Sequence, residues 1–115
     1  MTIELTEAQV KHDCEQYLKA LMGYGKLWYC RLNAGTFGRH HNIQGVAKGT
    51  ADLLVIQGGQ VVPVALVTFV EFKSTTGNQR PEQIEFEAQI TGFNCRYVIV
   101  RSLEELQQVV EIELI

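Results

Sequence analysis

The hydrophobic positions near the start of the chain repeat with the period of a helix. Thr6 stands before Glu7-Ala-Gln-Val and predicts an N-cap, and Gly23 predicts the end of the helix. The predicted buried stripe consists of residues at helical spacing, namely Val10, Cys14, Tyr17, Leu18 and Leu21. We therefore expect an amphipathic helix at the start of the chain.

Short apolar runs after this helix predict strands. The first covers residues 27–32 and the second residues 51–56, and Gly58-Gly59 predicts a hairpin turn into a long third run, residues 60–73. Between the first two strands, residues 33–50 carry four glycines and no regular period. A loop of this length in a small domain is typical of a functional or a disordered segment.

The long third strand is apolar on both faces. Val67 and Phe69 point to one side, and Leu66, Val70 and Phe72 point to the other, so we expect a layer of structure on each face. Further along, the punctuating residues predict a helix between Pro81 and Gly92, a strand at 94–100, a helix from the Ser102 cap through Val110 and an extended segment at 111–115. The order α-β-β-β-α-β-α predicts one α/β domain over residues 1–115, with a mixed central sheet flanked by helices.

Composition sets limits on this picture. The chain has 115 residues, of which 46% are apolar and 20% charged, and this is the range of an ordinary globular domain. No apolar run approaches the ~18 residues of a membrane span, and the first residues are not a signal peptide. Cys14, Cys30 and Cys95 are odd in number and far apart, so we expect reduced core cysteines and a cytoplasmic protein.

The net charge of −3 hides a strong asymmetry along the chain. Residues 1–15 carry −3 and residues 82–115 carry −5, whereas residues 16–81 carry +5. Asp52 and Glu71 are the only acids of that central region. The asymmetry indicates an anionic partner for the middle of the chain, although such blocks also arise by accident.

Three charged residues interrupt the apolar strands. Glu71 and Lys73 are two positions apart, so they project from the same face as Phe69. The hairpin brings Asp52, at the start of its own strand, to the same end of the sheet. Two converging carboxylates suit a hard divalent cation such as Mg²⁺ or Mn²⁺. The alternative is a plain ion pair between Glu71 and Lys73, with Asp52 capping a turn; geometry alone leaves both open.

Gly49-Thr-Ala-Asp52 followed by a hairpin and Val-Glu71-Phe-Lys73 resembles the PD-(D/E)XK nuclease signature. Further motifs resemble the virus-type replication-repair nuclease (VRR-NUC) branch of that superfamily: Glu7-Ala-Gln-Val, Arg31-Leu-Asn33-Ala-Gly35, Lys48-Gly-Thr-Ala-Asp52 and the Gln83 that follows Arg80-Pro-Glu. The resemblance covers residues 6–102, with Ala51 in the place of the superfamily's proline. It implies a restriction-endonuclease-like fold.

The resemblance also implies roles for the site residues. Asp52, Glu71 and the backbone carbonyl of Phe72 would hold the metal, Mg²⁺ with Mn²⁺ able to substitute. Lys73 would hold the attacking water, and Gln83 would steady Lys73.

A further carboxylate of the family comes from the first helix, where the sequence offers Glu7 and Glu15. Glu7 lies near the buried stripe, whereas Glu15 falls about 120° from its centre at ~100° per residue, so we choose Glu7.

Basic side chains around the predicted site supply contacts for DNA phosphates. Arg31 ends the first strand and offers a planar fork, Lys48 lies one turn before Asp52, and Arg39 lies on the long loop. Asn33, within the matching Arg31-to-Gly35 motif, is assigned to the same surface.

These observations predict a metal-dependent DNA endonuclease that cleaves phosphodiester bonds. A domain this small offers little surface to grip a duplex, so we expect a homodimer, with an interface from Val109, Val110, Ile112, Leu114 and Ile115. Stand-alone members of the resembled family look like dimers that cut branched DNA symmetrically, so the resemblance implies a homodimeric Holliday-junction resolvase as one hypothesis, with DNA repair among the possible pathways. The alternatives are a flap or nicking nuclease with the same site, and a non-catalytic DNA- or partner-binding module with the same fold.

Overall fold

The computed structural model describes residues 3–32, 47–58 and 64–111. Within them the predicted order of elements is confirmed. The elements are α1 (Glu7–Gly23), β1 (Trp28–Arg31), β2 (Leu53–Gly58), β3 (Ala65–Phe72), α2 (Pro81–Thr91), β4 (Arg96–Val100) and α3 (Leu103–Val110). None of these helices has the length and apolarity that crossing a bilayer requires.

The four strands form one mixed sheet in the order β1-β2-β3-β4. β2 pairs antiparallel with β1 and with β3, and β4 runs parallel to β3. The crossover from β3 to β4 passes through α2, as a parallel connection requires. The mixed sheet flanked by helices is therefore as predicted.

Local chemistry explains most of the element boundaries. Thr6 and Gln9 form a capping box, with Thr6 Oγ1 accepting from Gln9 N–H at 3.1 Å and Gln9 Oε1 accepting from Thr6 N–H at 2.9 Å. Ser102 caps α3 by accepting from Glu105 N–H at 3.2 Å. The strand predicted from residue 94 begins at Arg96 instead, because Asn94 has a φ of 63° and belongs to the preceding turn. The predicted turn at Gly59 and the extended residues 112–115 lie outside the described residues.

The hydrophobic core lies on one face of the sheet. Val70 and Phe72 of β3 are fully buried there, against α1 and α3. On the opposite face, Phe86 of α2 meets the ring of Phe69 edge to face, with ring centroids 5.3 Å apart. Both faces of β3 are thus covered, as its sequence pattern predicts, and Glu71 continues the row of Phe69 on the α2 side.

Two predictions about the core need correction. Val109 and Val110 pack against the chain's own core, so they do not supply the free apolar surface expected for self-association. The other residues proposed for that interface lie outside the described part of the chain. Cys14, Cys30 and Cys95 are free thiols, as predicted, but only Cys14 is a core residue and the other two are half-buried.

A polar network that the sequence did not predict ties α3 to the sheet. Arg96 donates from Nε to Thr68 Oγ1 at 2.9 Å and from Nη2 to the Val109 carbonyl at 3.1 Å. Gln57 Nε2 donates to the Val110 carbonyl at 2.7 Å. These donors satisfy carbonyls at the C-terminal end of α3, where a cation is favoured. Burial lowers the pKa of the Arg96 guanidinium.

Candidate metal centre and nucleic-acid interface

The antiparallel pairing of β2 and β3 brings the two predicted metal ligands together. Leu53 pairs with Val70, so Asp52 and Glu71 follow at the same end of the two strands. Phe72 N–H donates to Asp52 Oδ2 at 2.7 Å and fixes that carboxylate against β3. The prediction that the two acids lie at one sheet end is therefore confirmed. Asp52 joins two strands rather than capping a local turn.

Glu71 is a buried acid with one unpartnered oxygen. Its side chain is only 3% exposed, and its Oε1 has no hydrogen-bond partner in the described part of the chain. Burial first, and then the neighbouring Asp52 carboxylate, raise the pKa of Glu71 from 4.5 to about 8. A carboxylate in this position requires either a proton or a cation.

Lys73 lies beside these carboxylates, and its charge lowers the pKa of Glu71, although burial and the Asp52 carboxylate outweigh this effect. It is 7% exposed, and its stem passes over the turn at Gly77. Among the described residues, no ion pair joins Lys73 to Glu71, so the structure does not support the simple ion-pair alternative. Lys73 is therefore a buried lysine at the same strand end as the two acids.

The first helix places Glu7 at this site. The segment before α1 is anchored to the loop after β3, because Leu5 N–H donates to Thr75 Oγ1 at 2.8 Å and Thr75 N–H donates to the Leu5 carbonyl at 3.1 Å. Glu7, the first residue of α1, lines the same pocket as Asp52 and Glu71. Its charge adds to the causes that raise the pKa of Glu71.

Glu15, the rejected alternative to Glu7, has a different position from the one that helical rotation predicted. It is buried, and it accepts two hydrogen bonds from Arg31, at 2.6 Å from Nε and 2.7 Å from Nη2. The edge strand β1 covers this flank of α1, which a single buried stripe does not anticipate. This bidentate pair gives Glu15 a partner of its own and places Arg31 in a second pocket, beside His12 and Lys19.

Gln83 lies at the site but makes a contact that differs from the predicted one. It is 2% exposed and lines the pocket. Its Oε1 accepts from Arg80 N–H at 2.9 Å, at the start of α2. No hydrogen bond between Gln83 and Lys73 occurs among the described residues, so the steadying role of Gln83 stays a prediction.

The pocket has a volume of about 380 Å³, with acids and bases mixed in its lining. Its charged residues are Glu7, Lys48, Asp52, Glu71, Lys73 and Arg80. Lys48 and Arg80 both approach Glu82 Oε1, at 3.9 and 3.4 Å. The site thus combines three carboxylates with basic groups that suit a bound phosphate.

Gly49 allows the turn formed by residues 47–50 to approach α2 closely. Its φ is +94°, and an added Cβ would lie 2.5 Å from the Glu82 carbonyl oxygen. Only glycine fits this close, left-handed position. The turn continues with Thr50, whose Oγ1 donates to the Ala47 carbonyl at 2.6 Å.

Two basic residues of the site were missed from the sequence. Lys11 Nζ lies 3.7 Å from Asp52 Oδ1, and Arg80 lines the pocket. Lys11 follows Glu7 by four positions, and that spacing places both on one side of a helix. Arg80 immediately precedes Pro81, the first residue of α2, so its position at the start of that helix could have been predicted from the sequence.

Two residues of the predicted DNA-binding surface, Asn33 and Arg39, lie outside the described residues. Phe72 contributes its N–H to Asp52, while its carbonyl as a metal ligand stays a prediction.

The donor set fits a hard divalent cation. Asp52 and Glu71 supply oxygen ligands, and the unpartnered Oε1 of Glu71 is the group that such a cation would satisfy. In residues 3–32, 47–58 and 64–111, no three His, Cys, Asp or Glu side chains are grouped closely enough to form a ready-made metal site.

Comparison with solved structures identifies the fold. A structure described as a VRR_NUC domain matches this chain with a TM-score of 0.60 and 19% sequence identity, over 93% of this chain and 97% of that one. The fold is therefore VRR-NUC-like, as the sequence motifs implied. No family model matches the sequence, and no curated protein matches it either.

Proposed function

We propose that this protein is a metal-dependent endonuclease that hydrolyses phosphodiester bonds in DNA. The observation that carries the proposal is the buried Glu71 carboxylate, whose Oε1 has no partner in the described part of the chain, beside Asp52 and Lys73 in a VRR-NUC-like fold. A buried acid of this kind destabilises the empty protein, which favours a functional rather than a structural explanation.

Asp52 and Glu71 would hold Mg²⁺, or Mn²⁺ in its place, with the Phe72 carbonyl as a further ligand. When bound, the cation polarises the scissile phosphate and lowers the pKa of a coordinated water. The Phe72 N–H fixes Asp52 in orientation. Lys73 orients the attacking water and stabilises the negative charge that develops on the phosphate.

Glu7 and Gln83 complete the predicted catalytic set from the helices on either side. Glu7 adds a third carboxylate to the lining of the pocket, where it would accept hydrogen bonds from water molecules bound to the cation. Gln83 holds the first turn of α2 through Arg80 N–H, and so fixes the wall of the pocket next to Lys73.

The basic rim would position the DNA backbone over the site. Lys48 and Arg80 are 77% and 63% exposed and share Glu82 as a weak partner, so their remaining donors are accessible to phosphate. Arg31, 70% exposed and oriented by Glu15, extends the same function along β1, together with the predicted contacts from Asn33 and Arg39.

The finer hypothesis is a homodimeric Holliday-junction resolvase. Its support is the small size of the chain, because two copies related by a two-fold axis would grip a symmetric junction better than one. A monomer by light scattering at micromolar concentration would remove this argument while leaving the nuclease proposal intact. A flap or nicking specificity then becomes the expected outcome of the substrate comparison.

The test is cleavage of labelled four-way junction, flap, single-stranded and duplex DNA in Mg²⁺ or Mn²⁺, with EDTA as a control. We expect metal-dependent cleavage of at least one substrate, abolished in Asp52→Ala and Lys73→Ala. Absence of cleavage on every substrate contradicts the enzyme proposal and favours a non-catalytic binding module. Cleavage that persists in both variants identifies a contaminant.

A further inference from the structure

Lys11 is a second lysine at the carboxylate cluster, supplied by α1. It lies one helical turn after Glu7, so the two side chains share the side of α1 that faces β2 and β3. Its Nζ lies 3.7 Å from Asp52 Oδ1. Lys11 therefore contacts one of the two carboxylates proposed to hold the cation.

The two oxygens of Asp52 have different partners. Oδ2 accepts a short hydrogen bond from Phe72 N–H at 2.7 Å, from a backbone that cannot move away. Oδ1 makes a longer contact, 3.7 Å, to Lys11 Nζ, which belongs to a flexible side chain that is 41% exposed. Oδ1 is thus the oxygen that becomes available to a cation when Lys11 moves.

Lys11 places a positive charge next to the acidic residues of the pocket. Three acids, Glu7, Asp52 and Glu71, line the pocket, and Lys73 forms no ion pair with Glu71 among the described residues. Among the described residues, the ion pair of Asp52 is made with Lys11. A divalent cation at Asp52 would repel an ammonium at this distance.

We propose that Lys11 occupies the cation position at Asp52 in the metal-free protein and moves to a DNA phosphate when a divalent cation binds. This inference rests on the proposed metal site. Lys11 acts on the cation through Asp52, which makes it a positioning residue, and it contacts the substrate only in the metal-bound state. Its two roles have opposite consequences for binding: it weakens cation affinity and strengthens DNA affinity.

Substitution of Lys11 should separate these two effects. In Lys11→Gln we expect Mn²⁺ to bind about three- to tenfold more tightly, because one partly exposed positive charge next to the ligand is lost. DNA should bind about threefold more weakly, with a shallower dependence on salt. A merely structural role for Lys11 would weaken both kinds of binding together.

The experiment is calorimetric titration of Mn²⁺ into the full chain, paired with fluorescence anisotropy of a labelled duplex in Ca²⁺. Lys11→Arg keeps the charge and should bind Mn²⁺ like the wild type. Lys19→Gln removes the same charge from an exposed position of α1 and should also leave Mn²⁺ affinity unchanged. Lys11→Met, which keeps the aliphatic stem, replaces Lys11→Gln if circular dichroism shows that the glutamine variant is unfolded.

The outcomes distinguish this inference from the proposed function. If the wild type binds no Mn²⁺, both the metal site and the role of Lys11 are overturned. If the wild type binds Mn²⁺ but Lys11→Gln binds it equally or more weakly, only the role of Lys11 is overturned. Tighter Mn²⁺ binding together with weaker DNA binding supports it.

Discussion

Glu71→Gln should stabilise the metal-free protein, and the gain should grow with pH. The substitution replaces a buried acid that has an unpartnered oxygen with a neutral amide of nearly the same shape, able to donate to Asp52. The pKa of Glu71 is raised from 4.5 to about 8 in the fold, so the folded protein holds a proton that the unfolded chain has released. Stability from this group is therefore greatest at low pH and is lost as the pH rises from 4.5 towards 8.

The magnitude follows from that difference in proton affinity. Each unit of pKa shift is about 1.4 kcal/mol, so the acid lowers the free energy of unfolding by about 3 kcal/mol at pH 7 and by less than about 1 kcal/mol at pH 5. Glu71→Gln should recover roughly these amounts, which are a large fraction of the stability of a small domain.

Urea denaturation in EDTA at several pH values measures this effect. Glu85→Gln, an exposed acid on α2, is the matched control and should change stability little at any pH. Mn²⁺ should reverse the order, because the wild type gains binding energy that Glu71→Gln lacks. A difference between Glu71→Gln and the wild type that does not change from pH 5 to pH 8 refutes the reasoning, as does destabilisation by Glu71→Gln.

Gly49→Ala should destabilise the protein by about 2 kcal/mol or more in urea denaturation. The new Cβ would collide with the Glu82 carbonyl, and the positive φ at this position is unfavourable for alanine. Gly25→Ala, at a φ of +74° but with open space, should lose only about 1 kcal/mol, and equal losses would argue against the close contact. Lys48→Gln and Arg80→Gln should each reduce the slope of log DNA affinity against log salt by about 1, measured by anisotropy in Ca²⁺; an unchanged slope would remove that residue from the DNA surface.

The fold was largely predictable because its signals are local. The Thr6 capping box, the Ser102 cap and the two-faced apolar pattern of β3 each act within a few residues. The meeting of Asp52 and Glu71 was predictable for the same reason, because their strands are consecutive in the chain and pair antiparallel. Strand boundaries moved: β2 runs over Leu53–Gly58 rather than 51–56, and β4 begins at Arg96 because the left-handed Asn94 delays it.

The remaining features depend on contacts between distant parts of the chain. Helical rotation alone gave Glu15 an exposed position, whereas the packing of β1 against α1 buries it with Arg31. Similarly, no local pattern links Arg96 to the end of α3. The contact between Lys11 and Asp52 also joins separate elements, although the spacing of Lys11 from Glu7 would have indicated the shared face.

The most direct test of the central proposal is the rate of DNA cleavage as Mn²⁺ is titrated, in the wild type and in Asp52→Asn. The account predicts a rate that is zero in EDTA and saturates with Mn²⁺ in the wild type, and a folded Asp52→Asn protein without measurable cleavage at any Mn²⁺ concentration. Cleavage by the wild type in EDTA, or equal Mn²⁺ curves for the two proteins, would contradict the assignment of Asp52 and Glu71 as the metal centre of a nuclease.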